Sequence, residues 1–196
     1  MLSQFIVLFL PNKILINMID MKKLFISLAL LCTVIGSSAQ TNIIKTNPIT
    51  FAFGNFNATY EKVLNSSSSL VFKGQYNYNL FLMDEIYKVI GLEDVKSGGV
   101  GLGYRYYFTH LKKEVPTGFY INPQASFSFG SAKVDNGTKE SMSTTALGAE
   151  IGYQWVWSSG FTLDLGIGPM QNFVSINGVS ASGLLPSATL SIGYAF

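Results

Sequence analysis

Cysteine is almost missing from this chain, and its one thiol, Cys32, lies inside an apolar run near the N-terminus. Disulfide scaffolding and thiol catalysis are thereby excluded from everything that follows that run. Histidine is as scarce. His110 stands alone between Thr109 and Lys112-Lys113, with no serine or carboxylate set beside it as a triad partner. One histidine without cysteines cannot make a zinc site, and a solvated turn histidine needs no further role. Charge is also sparse, at 12 % of residues against 48 % hydrophobic, yet nowhere after residue 40 do the ~20 consecutive apolar residues of a spanning helix occur. The apolarity is dispersed with a period of two, which is the pattern of strands.

What is present begins with MKKLFISLALLCTVIGSSAQ, residues 21–40. A basic start, an apolar core and small residues at Ser37 and Ala39 make residues 21–39 a secretory signal peptide cleaved after Ala39. Residues 1–20 read as an upstream extension from a mis-assigned start codon, because Pro11, Asn12, Lys13, Asn17 and Asp20 interrupt any anchor. Removing residues 1–39 takes away Lys13, Lys22, Lys23 and Asp20. Of 13 basic and 11 acidic side chains, ten of each then remain. The basicity belongs to the discarded segment, so residues 40–196 carry no signature of nucleic-acid binding.

Alternation marks strands near 55–64, 69–81, 98–109, 118–130, 143–157, 161–173 and 184–196. NSSSS (65–69), THLKKEVPTG (109–118) and SSG (158–160) are compact connections, whereas 82–97, 131–142 and 174–183 are longer. Short turns on one side and long loops on the other are the layout of an outer-membrane barrel, with the short turns periplasmic. The strand at 55–64 then runs toward the periplasm and needs an ascending predecessor. IIKTNPITFAFG (43–54), with an outer turn at Gly54-Asn55, supplies it and brings the count to eight. Pro48 makes it the poorest strand of the set. The expected fold is all-β: an eight-stranded antiparallel transmembrane β-barrel preceded by a cleavable signal peptide.

Two rows define its faces. One parity collects Tyr76, Leu102, Tyr104, Phe127, Leu165 and Ile192, and the other Asn57, Gln75, Gly101, Asn122, Ser126 and Ser191. Few charges and many small polar residues suit a narrow lumen better than a solvated exterior, so the aromatics face lipid. Tyr60, Tyr106, Phe108, Phe119, Trp155, Trp157, Phe161, Tyr194 and Phe196 fall near short turns or the C-terminus and form a periplasmic aromatic girdle. The glycines of GVGLG (99–103) lack the strand, loop and helix context of a phosphate site and serve as lumen space.

GLGYRYYF (101–108), TGFYINP (117–123), GYQWVWSSGFTLDLGIGP (152–169) and SIGYAF (191–196) resemble a family of small bacterial outer-membrane barrels of unassigned function, a domain of unknown function with OmpA/OmpX-like eight-stranded architecture. The resemblance implies residence in the outer membrane of a Gram-negative bacterium. It also implies contact with the membrane lipid, and recognition of the C-terminal strand by the outer-membrane insertion machinery. It supplies no catalytic, cofactor or metal residues.

Glu61, Lys73, Arg105, Glu150 and Asp164 share the inward parity and are expected to pair as a lumen charge network, since buried charges must find partners. A gate or narrow ion path is the functional alternative. In LMDEIYKVIGLEDVKSG (82–98), Ile86, Val89 and Ile90 at helical spacing make an outer-loop interaction candidate for a surface partner. A non-enzymatic role without a cofactor, in envelope structure or surface interaction, follows, with a narrow channel for ions or small solutes as the alternative. N-terminal sequencing of the cellular protein is expected to start at Gln40; residues from before Met21 would show that the upstream segment is translated and kept.

Overall fold

A computed structural model describes residues 42–78, 92–108, 116–134 and 137–196. The proposed signal peptide, His110 and the outer-loop candidates Ile86, Val89 and Ile90 lie outside the described residues.

Eight strands close into one antiparallel barrel in sequence order. They are β1 (Asn42–Thr46), β2 (Asn55–Asn65), β3 (Ser68–Asn77), β4 (Leu92–Tyr107), β5 (Gly118–Val134), β6 (Lys139–Val156), β7 (Phe161–Ile176) and β8 (Val179–Ala195). At the base, Asn42 and Phe196 exchange both backbone hydrogen bonds, at 3.0 and 2.8 Å, and the ladder continues upward through Ile43↔Ala195 to Thr46↔Ile192. The turns at Ser66-Ser67 and 157–160 lie at this same end.

The first strand is shorter than the alternation predicted. It stops at Thr46, and Pro48–Ala52 form a five-residue helix, α1, where a strand to Gly54 was expected. Pro48 has no N–H for a ladder and a φ suited to a first helical turn. Asn47 caps that turn by accepting from the Ile49 N–H at 3.1 Å. The chain leans toward β2 here: the Thr46 hydroxyl donates to Asn57 O at 2.6 Å, and the Asn47 N–H to Asn57 Oδ1 at 2.9 Å.

The expected loop asymmetry is also corrected. β7 and β8 continue through the segment read as a long loop, pairing up to Ile176↔Val179 around Asn177-Gly178. Both turn residues have positive φ, 48° and 82°, the Asn-Gly turn whose twist matches that of the flanking strands. Likewise β5 and β6 pair up to Lys133↔Lys139. β4 starts at Leu92, so Glu93 and Asp94 belong to a strand and not to the helix read over 82–98. Asp94 sits in a bulge at φ 49°, and its carboxylate pairs with Lys96 at 3.0 Å and Lys133 at 3.3 Å. Hydrogen bonds from these two lysines hold that carboxyl below its ordinary range.

Lengths divide the wall: β4 to β8 have 16 to 18 residues, and β1 to β3 have five, 11 and ten. A 17-residue strand tilted by about 40° rises roughly 40 Å, well beyond the reach of β1 to β3. The upper parts of β4 to β8 therefore stand clear of the rest. Gly178→Ala forces a Cβ into the left-handed region and is expected to destabilise the β7–β8 hairpin by about 1 kcal/mol. Gly183→Ala, in open space, leaves it unchanged. Amide hydrogen exchange at the hairpin checks the difference.

Candidate functional site

Side chains of alternate parity divide cleanly between the two faces. Outside, Val100, Ile151, Ile167 and Phe129 are 60 to 68 % exposed, and Phe56, Tyr76, Leu102 and Leu147 about half exposed. Inside, Lys45, Glu61, Arg105, Glu150, Gln154 and Asp164 are buried to 2 % exposure or less. That inverts the polarity of a barrel dissolved in water.

The interior is built in layers from the base. Ile43, Val63, Val156 and Ala195 make a small apolar floor. Above it lies a cluster of two cations and two anions. The Lys45 ammonium donates to Glu61 Oε2 at 2.5 Å, Gln154 Oε1 at 2.7 Å and Asp164 Oδ2 at 2.8 Å, spending all three of its donors. Arg105 Nη1 lies 2.7 Å from Asp164 Oδ2, 3.0 Å from Gln154 Oε1 and 3.3 Å from Glu61 Oε2. The remaining carboxylate oxygens are met by hydroxyls. Ser69 and Tyr107 donate to Glu61 Oε1 at 2.5 and 2.6 Å, and Tyr120 donates to Asp164 Oδ1 at 2.7 Å. Gln154 spans the group, accepting from both cations while its amide donates to Pro116 O at 3.2 Å. The Arg105 guanidinium also lies over the Tyr120 ring, 4.0 Å from its centroid.

Glycine makes room for this cluster. A Cβ on Gly152 would collide with the ring end and hydroxyl of Tyr120, and one on Gly166 would approach that hydroxyl at 2.7 Å. The inward glycines of β6 and β7 are thus the seat of an aromatic reaching across the lumen.

A second, looser pair sits higher. Lys73 is 3.7 Å from Glu150 Oε2 and donates to Gln124 Oε1 at 2.5 Å, while Glu150 Oε1 accepts from Ser187 at 2.6 Å and Thr189 at 3.1 Å. The five inward charges read from the sequence therefore fall into two groups. Glu61, Arg105 and Asp164 meet in the lower cluster, and Lys73 and Glu150 form the upper pair. Sequence reasoning missed Lys45, Gln154, Tyr107 and Tyr120. Lys45 follows from the register Lys45↔Thr59, which gives it the inward parity of Glu61. Tyr107 and Tyr120 share the inward parity of Arg105 and Asn122, a signal obscured by the aromatics on either side of them. The buried Asn122 amide, Arg105 Nε and Glu150 Oε2 have no hydrogen-bond partner among the described residues.

Above the charges the lumen is not filled. A cavity of about 370 Å³ extends from Arg105 and Asp164 past Lys73 to Asn47, Thr50 and Asn55 at the rim. Many of the exterior aromatics gather at the base, while Phe56, Tyr76, Phe127 and Phe129 lie higher on the wall. Phe119 packs edge-on against Tyr153 with centroids 4.8 Å apart, Tyr153 lies 4.3 Å from Trp155, and Trp157 lies 5.3 Å from Phe161. Tyr106 meets Phe108, and Tyr60 meets Phe72. Tyr194 pairs in register with Phe161 on one side and Ile44 on the other.

These features define the class: a closed, eight-stranded antiparallel barrel, apolar outside and held inside by balanced ion pairs. The chain belongs to the family described as "Protein of unknown function (DUF3575)", whose model matches residues 24–176 and so ends with β7. Neither a curated protein nor a solved structure matches the chain.

Arg105→Ala is expected to destabilise the barrel by about 3–5 kcal/mol, because Asp164 and Glu61 would keep a single cation between them in a buried site. Urea unfolding in detergent micelles, followed by tryptophan emission, measures it; an unchanged midpoint would remove Arg105 from the determinants of stability.

Proposed function

We propose that the protein is a non-enzymatic barrel of a Gram-negative outer membrane, with a role in envelope structure or surface interaction. The observation that carries this reading is the inverted polarity: aliphatic and aromatic side chains cover the outside while ion pairs occupy the inside. In water that arrangement would leave a broad apolar surface wet. In a bilayer it places apolar side chains against acyl chains and closes every strand edge it can. The aromatic belt at the base suits the interface on the side of the short turns, which is the periplasmic side in OmpA/OmpX-like barrels. The strand ends of β4 to β8 then project outward and offer the surface for a partner. Strand β8, which closes the barrel against β1, suits recognition by the insertion machinery.

A narrow channel is the second reading, favoured by the polar cavity that descends to Arg105. Against it stand the apolar floor and the charge balance, since a selective pore carries a surplus of one sign. Expressed in a Gram-negative host, the protein is expected in the carbonate-washed outer-membrane pellet, with a gel mobility that changes on heating. Recovery in the carbonate supernatant would sink the membrane reading. In planar bilayers the refolded barrel is expected to be silent; discrete conductance altered by Lys73→Gln or Arg105→Gln would install the channel in its place.

A further inference from the structure

The short β1 has a consequence for the wall. Above Thr46↔Ile192, β8 has no strand partner on this side among the described residues, although it continues for a further 13 residues to Val179. α1 occupies the gap without joining either ladder, and its ties run away from β8. Asn57 Nδ2 donates to Thr50 Oγ1 at 2.6 Å, the Tyr78 hydroxyl donates to Phe51 O at 3.1 Å, and the Tyr78 N–H donates to Gly54 O at 2.7 Å. Toward β8 the helix comes close without a hydrogen bond among the described residues, and that side is a seam. The interior cavity reaches it, for Phe53 beside α1 and Ala188 on β8 are both in its lining.

The two sides of the seam differ in chemistry. Outside, it is bordered by Ile49, Phe53 and Leu184, all 47 to 67 % exposed. Inside, the cavity is lined by amides and hydroxyls around one accessible charge. Lys45 and Arg105 are 1 % exposed in their side chains and spent on the lower cluster, whereas Lys73 is 29 % exposed. The Glu150 carboxylate is 1 % exposed; its Oε1 holds Ser187 and Thr189, while the Oε2 that faces Lys73 accepts no hydrogen bond among the described residues. Lys73 has three donors; Gln124 takes one, and Glu150 at 3.7 Å is too distant to fill another with a hydrogen bond.

We propose that the seam between β8 and α1 is a lateral access through which an anionic amphiphile sets its head against Lys73 while its chain stays along the apolar rim. A phosphate or carboxylate head matches the spare ammonium donors and the neutral amides around them, and completes the coordination that Glu150 leaves open. An acyl chain matches the half-exposed aliphatic and aromatic border. The inference rests on the membrane reading, because the amphiphile arrives from the bilayer side.

The test is equilibrium binding of dodecyl phosphate to the protein as the cell processes it, purified in maltoside micelles, with inorganic phosphate as competitor. Saturable binding of one dodecyl phosphate per barrel is expected. Lys73→Gln paired with Glu150→Gln removes both charges and leaves no orphan carboxylate; it should weaken binding about tenfold or more, the scale of one charge-assisted contact. Lys73→Arg should retain binding, and Ala188→Trp, which narrows the seam, should reduce it. A heat-dependent gel shift verifies that each variant is folded. Unchanged binding in the double variant would overturn the site. Equal competition by inorganic phosphate, with Ala188→Trp neutral, would assign the site to a free anion and overturn the lateral access. A chain that pellets with carbonate-washed membranes yet binds nothing refutes this inference alone, whereas one found in the supernatant refutes the membrane reading beneath it.

Discussion

A charge taken out of water has to meet its counter-charge, and the barrel is organised around that requirement. Lys45 from β1, Glu61 from β2, Arg105 from β4 and Asp164 from β7 converge on one level, with Gln154 from β6 between the two cations. Each strand brings a group that is costly alone and tolerable in company. The cluster is neutral, two cations against two anions, and nearly every oxygen in it accepts a hydrogen bond. Buried polar groups arranged this way specify register as well as energy. A slip of one residue in any strand would turn its charged side chain to the outer face.

β1 shows how this constraint acts. Its five residues give the barrel few ladder hydrogen bonds across the closure, yet they deliver Lys45 to three acceptors and Ile43 to the apolar floor. Closure at the base is therefore held by side chains as much as by backbone. Past Thr46 no inward charge remains to be delivered, and Pro48 diverts the chain into α1. Among the described residues the wall is complete where the ions must be sealed and incomplete above them, which leaves a polar cavity beside an apolar border.

The same division explains the glycines and the aromatics. Tyr107 and Tyr120 point inward to donate to carboxylates, and Gly152 and Gly166 yield the volume that the Tyr120 ring occupies. Outside, the rings need no such space, and many of them collect at the base.

Alternation alone determined a great deal. The sign of each residue's parity assigned the inner and outer faces, and eight strands followed from strand direction, because a hairpin turn reverses the chain and a barrel returns to its start. The tight turn at Asn177-Gly178 was also legible, since positive φ at both positions is written in that dipeptide, although the polar residues around it read as a loop. Tertiary structure decided the rest. Lys45 could not be assigned from IIKTNP, where alternation fails and a proline intervenes; only pairing with β2 and β8 gave it an inward face. Which charges share a level depends on register and stagger, quantities set by the closure of the whole sheet and not by any local pattern. Whether the lumen is full or partly hollow rests on the summed volumes of side chains from all eight strands. The seam likewise exists only because β8 outlasts β1, a relation between the two ends of the described chain that no stretch of the sequence contains.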